Sequence, residues 1–190
     1  MTELSGVQIV GFVGMPGAGK TEAVHYLTEK GWPKVYFGGL MYNEMTKAGV
    51  EITAESQQIF REQLRTKHGK DFLAQLALQE VERLIEAGQK NIVVDGIYSW
   101  AEFKTFKHAY HGILNIIAIV APRRLRHRRL ANRPERPFTE NEALHRDYTE
   151  IENIEKGGPI AIADHYIIND TSLDDLHAKI ENILHGTFAE

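Results

Sequence analysis

The chain has 190 residues, 43% of them hydrophobic and 25% charged, with a formal net charge of −4. That length and balance fit a globular domain with a real core, and the small net charge gives no global reason to expect nucleic acid or a membrane as partner. The absence of cysteine excludes disulfides and thiolate metal sites.

The opening segment, MTELSGVQ, carries no basic stretch ahead of an apolar one, so a secretory signal is not expected. The longest apolar run, Ile116 to Ala121, is far short of the roughly 20 residues that cross a bilayer. A cytoplasmic location is the expectation.

Taken in order, apolar runs of strand type alternate with segments of helical period. Ile9 to Val13 is the first strand and Thr21 to Lys30 the first helix, with Ala23, Val24 and Leu27 on one stripe. Gly31-Trp32-Pro33 breaks the pattern, Val35-Tyr36-Phe37 reads as a short second strand, and a helix starts at Leu40-Met41. Two helices follow, from about Ala54 to Lys67 with Gly69 as its stop, and from about Asp71 to Ala87 with Gly88 as its stop. Asn91 to Asp95 is a third strand, apolar enough to be buried on both faces. Ser99 to His108 reads as a helix and Ile113 to Val120 as the fourth strand. An arginine-rich helix starts after Pro122 and is closed by Pro134 and Pro137. Glu140 to Lys156 is a polar helix that Gly157-Gly158-Pro159 should end. Tyr166 to Ile168 is the fifth strand, and Ser172 caps a final helix. Five strands with helices between them predict a single domain over residues 1–190, a three-layer α/β/α sandwich around a parallel sheet.

The first strand feeds Gly14-Met15-Pro16-Gly17-Ala18-Gly19-Lys20-Thr21, which fits G-x-x-x-x-G-K-[ST] at every fixed position. A polyphosphate needs bare backbone N–H groups wrapped around it, and glycine lets a chain curl that tightly. The helix that follows would point its N-terminus at the anion. In that reading Lys20 reaches the β- and γ-phosphates and the Thr21 hydroxyl ligates Mg²⁺. Glycine-rich turns between strand and helix also occur with no phosphate, but strand, loop, Lys-Thr and helix here stand in the order a phosphate loop requires.

Asp95, at the end of an apolar strand, has the position of an acid that helps to hold Mg²⁺; strand-end aspartates also serve as helix caps. Gly96 beside it would let a substrate approach the backbone. Seven arginines, Arg123, Arg124, Arg126, Arg128, Arg129, Arg133 and Arg136, stand between Pro122 and Pro137. On a helix Arg126, Arg129 and Arg133 share one face, while Arg124 and Arg128 form a separate pair. A solvated basic surface, a nucleic-acid patch and a lid that closes cations over a transferring phosphoryl all fit such a segment. The lid, at about residues 123–146, is the reading adopted. Arg61 and Arg65 share a helical face and could bind a phosphate or carboxylate of an acceptor, or lie exposed beside Glu62. The nine histidines are scattered without metal-ligand spacing, and Trp32 and Trp100 read as packing residues.

With these residues in view, the chain resembles the P-loop nucleoside and nucleotide kinases. It is similar in particular to the dephospho-CoA kinase and adenylate kinase branch, including archaeal kinase-like proteins of that type. The resemblance rests on IVGFVGMPGAGKT, VVDGIYSWAEF, IVAPRRLRHRRLANR and ADHYIINDTSLDDL, and so spans most of the chain. It implies the strand order 2-3-1-4-5 and an ATP- and Mg²⁺-dependent phosphotransferase acting on a small-molecule acceptor. It also implies that Arg129 brackets the adenine, Arg133 contacts the phosphates and Arg146 reaches toward the transferred phosphoryl. Lys20, Asp95, Arg133 and Arg146 would then carry the reaction.

One departure bears on the acceptor. Dephospho-CoA kinases carry an aspartate just after the second strand, a base for the acceptor hydroxyl, whereas here the stretch reads Tyr36-Phe37-Gly38-Gly39-Leu40. A phosphate acceptor is already anionic and needs mainly cations. The missing acid also leaves room for a nucleotide-binding regulatory module, or a slow ATPase without an acceptor.

Overall fold

A computed structural model describes residues 4–134 and 137–187; Arg136 of the arginine-rich segment lies outside the described residues. Five parallel strands form one sheet: β1 (Gln8–Val13), β2 (Lys34–Tyr36), β3 (Asn91–Asp95), β4 (Leu114–Val120) and β5 (His165–Ile168). Their order across the sheet is β2-β3-β1-β4-β5, the order that the kinase resemblance implies. The helices are α1 (Lys20–Glu29), α2 (Phe37–Lys47), α3 (Ala54–His68), α4 (Phe72–Glu86), α5 (Trp100–Ala109), α6 (Arg123–Ala131), α7 (Glu140–Ile154), α8 (Gly157–Ala161) and α9 (Leu173–Thr187).

The period of two in the strands sorts their apolar residues into two cores. Ile9 and Val13 of β1, Ile92 and Val94 of β3, and Leu114, Ile116 and Ala118 of β4 face one way, against Ala74, Ala77, Val81 and Ile85 of α4 and Phe103 and Phe106 of α5. Val10, Phe12, Val93, Ile117, Ile119 and Ile167 face the other way, against Ala23, Val24 and Leu27 of α1 and Leu176 and Ile180 of α9. Each of the Val, Leu, Ile and Phe side chains among them contributes about 1.5–3 kcal/mol of burial. Helices on both faces are what a parallel sheet requires, because both faces of its strands are apolar.

This topology also places the site. β1 leads into α1 on one face, while its neighbour β3 leads into α5 on the other. Connections that part to opposite faces leave a crevice at the carboxyl ends of the two strands. Gly14 and Asp95 both stand at that crevice.

Two expected boundaries change. Phe37 is not the end of the second strand but the first residue of α2, and its ring is fully buried, 5.6 Å from that of Phe106. The helix starts there because that ring is drawn into the core before the strand can continue. Gly157-Gly158-Pro159 does not end the polar helix; α7 stops at Ile154, and the triplet builds α8. Glu155, left-handed at φ 55°, makes the stop, and the ring of Trp100 lies where a Gly158 side chain would stand.

Candidate active site

The loop from Gly14 to Lys20 is cradled by three other parts of the chain. A side chain on Gly14 would collide with the carbonyl of Ile119 in β4, one on Gly17 with the carbonyl of Arg126 in α6, and one on Gly19 with the amide of Asn169 after β5. All three glycines have positive φ, at 149°, 76° and 112°, so both backbone shape and space demand glycine. Two polar side chains then fix the loop. Asn169 Nδ2 donates to the Ala18 carbonyl at 2.8 Å, and Arg126 Nη1 donates to the Pro16 carbonyl at 2.9 Å. Ala18 is fully buried, so the loop is wedged into the fold rather than laid over it.

Lys20 curls back over the loop, its ammonium donating to the carbonyls of Gly14 (2.8 Å) and Met15 (3.1 Å). Burial, and then the charge of Lys156, lower its pKa to about 7. Pro16, Gly17, Gly19, Lys20, Thr21 and Glu22 form one wall of a cavity of about 500 Å³, and Arg129, Arg133 and Pro134 form the facing wall. Arg129 is held there by a 3.1 Å bond from Nη1 to the Asn169 carbonyl. Arg133 does not share a helical face with Arg126 and Arg129, because α6 ends at Ala131 and Arg133 stands exposed beyond it.

Arg126 does not face the cavity. It is buried, and both Nη atoms grip Asp147 of α7, at 2.8 and 2.7 Å, with His127 Nε2 a further 3.0 Å from that carboxylate. Burial pushes the Asp147 carboxyl up, but Arg126 and His127 outweigh it and hold it below the usual carboxylate range. The first turns of α6 are therefore seated between the loop and α7, and the exposed basic surface is left to Arg123, Arg124 and Arg128.

On the other side of Lys20, Asp95 ends β3 half-buried, with the Tyr98 hydroxyl 3.4 Å from Oδ1. Burial raises its carboxyl above the usual range, with Lys34 and Lys20 pulling the other way. It caps no helix. Ser99 caps α5, and the Glu102 carboxylate in return accepts from the Ser99 and Tyr98 amides at 2.8 and 2.9 Å. Gly96 is explained differently from its sequence reading. Its φ of 133° and the Phe37 side chain, whose Cβ would meet an added Cβ at 2.5 Å, account for the glycine by packing of α2 rather than by an approaching substrate.

Beyond Asp95 the surroundings turn cationic. Burial, then Arg65 and Arg146, lower the pKa of the half-buried Arg61, while Glu102 and Tyr42 oppose them, so α3 and α7 bring these three arginines together. Arg146 is exposed and tied by Nε to Glu150 Oε1 at 2.7 Å. A second cavity of about 290 Å³ lies beside Arg65, lined also by Thr66, Lys70, Ser99 and Asn153. Lys156, which the sequence pattern left inside a polar helix, is buried here against Glu150. Its only sequence signal is its place just before Gly157-Gly158-Pro159.

Phosphate loop, strand-end acid and strand order together define a P-loop nucleotide-binding protein of kinase-like fold. The chain belongs to the AAA domain family (AAA_18), whose model matches residues 10–156, and to the UPF0200 proteins of archaea. It is 35% identical to the UPF0200 protein of Thermococcus gammatolerans over 93% of each chain. Its identity to that of Sulfurisphaera tokodaii is 31%, over 95% of this chain and 98% of that one. Among solved structures, the fold is similar to a Thermus thermophilus protein (TM-score 0.64, 18% identity, 95% and 97% of the two chains). It is also similar to the shikimate kinase of Bacteroides thetaiotaomicron (TM-score 0.59, 12% identity, 94% and 98%).

Proposed function

We propose that this protein is an ATP-dependent phosphotransferase whose acceptor is a small anionic molecule. The observation that carries the reading is the wedged loop with Lys20 folded onto it, opening into a cavity of about 500 Å³ that Arg129 and Arg133 face. An incoming triphosphate would take the Lys20 ammonium from the two loop carbonyls and gain the loop amides and the α1 N-terminus. Arg129 is the residue for the base and Arg133 for the phosphates; of the lid read at about residues 123–146, Arg126 anchors α6 to the loop and α7, so the part that would close over the site is the one beyond Ala131.

The Thr21 hydroxyl and the Asp95 carboxylate suit Mg²⁺, since both are hard oxygen donors and the burial that raises Asp95 would be relieved by a cation. When bound, that ion would neutralise charge on the β- and γ-phosphates. The acceptor oxygen would form its bond to the γ-phosphorus as the bond to the bridging oxygen breaks, and the electron pair of that bond would leave with ADP.

The anionic acceptor is supported by what the carboxylates nearby already do. Glu102 is taken by two amides and Glu150 by Arg146 and Lys156, and the end of β2 offers Tyr36 and glycines. With Asp95 assigned to Mg²⁺, neither Glu102 nor Glu150 is left to act as a base for a hydroxyl, whereas Arg61, Arg65 and Arg146 suit a phosphate or carboxylate. A nucleoside monophosphate fits this chemistry better than dephospho-CoA. That the A. baumannii shikimate kinase, 18% identical over 95% of this chain, was solved with shikimate agrees with a small acceptor. The place of action would be the cytoplasm. The test is Lys20→Ala: it should stay folded and lose ATP turnover, and an unimpaired rate would sink the assignment.

A further inference from the structure

The end of β2 carries an aromatic side chain that belongs to neither apolar core. Tyr36 is 37% exposed, and it stands beside Asp95 in the register of β2 and β3, at the crevice. Two consecutive glycines, Gly38 and Gly39, lie in the first turn of α2. Neither has a positive φ, so the backbone does not call for glycine there, and only proline is a poorer helix former. What occupies their space is the Tyr36 ring. A Cβ on Gly38 would stand 2.4 Å from its Cζ and Oη, and one on Gly39 3.2 Å from its Cδ1. The chain thus clears a helical turn to seat one ring. A tyrosine at the end of an edge strand needs no such clearance merely to meet solvent.

The ring lies between the strand-end acid and the arginines. Burial first, and then Tyr42 and Asp95, raise the pKa of its hydroxyl, while Arg61 opposes them. The Tyr42 hydroxyl of α2 stands 3.5 Å from Gln57 Oε1 of α3, about one helical turn before Arg61. Elements β2, α2 and α3 therefore line one side of the path from Asp95 to Arg61, and Tyr36 supplies a flat surface on it. An acceptor with its anion on Arg61 and its reacting oxygen at the γ-phosphate would lie along that path. Lys34, on the same face of β2, holds its ammonium 5.2 Å from the ring centre; it is an exposed side chain that an incoming ring can displace.

We propose that Tyr36 determines the class of acceptor: its ring stacks on a flat ring of the acceptor, which is a ring-bearing anion rather than an open-chain one. This rests on the phosphotransferase reading above. Every nucleobase has such a face, and stacking on an aromatic side chain tolerates them all. Tyr36 therefore selects for the presence of a base and not for its identity.

The probes are AMP, GMP, CMP and UMP, set against ribose 5-phosphate, which keeps the sugar and phosphate and lacks the base. Each is titrated into protein saturated with Mg²⁺ and the non-hydrolysable ATP analogue AMP-PNP, so that the ATP site is filled. The unmodified protein should bind the best of the nucleotides at least about tenfold tighter than ribose 5-phosphate, as one stacked base predicts. Tyr36→Phe should keep that ratio, and Tyr36→Leu should bring the two ligands close to equal. Gly38→Ala, which favours the helix but displaces the ring, should do the same. A helix merely loosened by these changes would weaken both ligands and leave the ratio. A ratio that survives either Tyr36→Leu or Gly38→Ala overturns the proposal. So does an unmodified protein that holds AMP-PNP but binds ribose 5-phosphate as tightly as any nucleotide, or binds none of these probes. One that does not bind AMP-PNP at all removes the phosphotransferase reading itself.

Discussion

The Arg126 guanidinium holds both oxygens of Asp147, at 2.8 and 2.7 Å, and with the same Nη1 holds the carbonyl of Pro16 at 2.9 Å. One side chain from α6 thus joins the phosphate loop to α7. Both members of the pair are buried, and without Arg126 the Asp147 carboxylate keeps only His127 as a partner, so the loss is at the lower end of a broken buried pair, about 3 kcal/mol. Arg126→Met should lower the melting temperature by roughly 10 °C for a chain of this size. It should also weaken ATP binding, because the loop loses a strut. Thermal unfolding and ATP titration check both; a variant with lower stability and unchanged ATP affinity would detach Arg126 from the loop's shape.

Lys20 gives a pH dependence. Free, its pKa is lowered to about 7, by burial first and Lys156 second. A bound triphosphate would hold it protonated, so above pH 7 binding must take up a proton. ATP affinity should therefore fall as pH rises from 7 to 9, approaching tenfold per unit. Calorimetry at pH 8 in buffers of differing ionisation enthalpy should show uptake of close to one proton. Lys20→Arg should abolish it, since arginine stays charged throughout.

Asn169 is the third strut. Its Nδ2 bond to the Ala18 carbonyl and its own carbonyl's bond from Arg129 link the segment after β5 to both walls of the nucleotide cavity. Asn169→Ala should raise the dissociation constant for ATP about tenfold, the equivalent of one lost hydrogen bond of about 1–1.5 kcal/mol. Equilibrium titration reads it, and an unchanged constant would mean that the loop keeps its shape without the amide.

How much of this was legible in the sequence follows from the range of the interactions. The loop, its strand and Asp95 could be read because their chemistry depends on neighbours in the chain: a strand, a glycine spacing, a Lys-Thr pair. The strand order came with the motifs that resemble the kinases. Contacts across the chain were not legible. Periodicity set Arg126 beside Arg129 and Arg133, but it cannot show that Asp147, 21 residues on, turns Arg126 inward. Nor can it show that α6 stops at Ala131, which parts Arg133 from the helical face. Gly96 was read by its neighbour Asp95, while its space is set by Phe37 from another element. Lys156 was hidden in the same way, since its inward turn depends on a left-handed glutamate that no local rule favours.

The arginines beyond Asp95 divide the labour of binding. Arg61 lies nearest in charge to Arg65 and Arg146 and away from the wall that Arg129 and Arg133 form. Arg61→Ala should raise the acceptor's KM by about tenfold or more and leave the KM for ATP unchanged. Steady-state kinetics with each substrate varied in turn separates the two; equal rises in both would place Arg61 in general support of the fold.

The measurement that bears most directly on the central claim is ATP turnover with Mg²⁺, followed as ADP release across a panel of acceptors. The panel would hold each nucleoside monophosphate, dephospho-CoA, shikimate and a control without acceptor. Transfer to an anionic acceptor predicts strong stimulation by a member that carries a phosphate or carboxylate, lost in Lys20→Ala. A rate that stays flat across the panel while ATP is still bound would contradict it, and would leave a nucleotide-binding module or slow ATPase in its place.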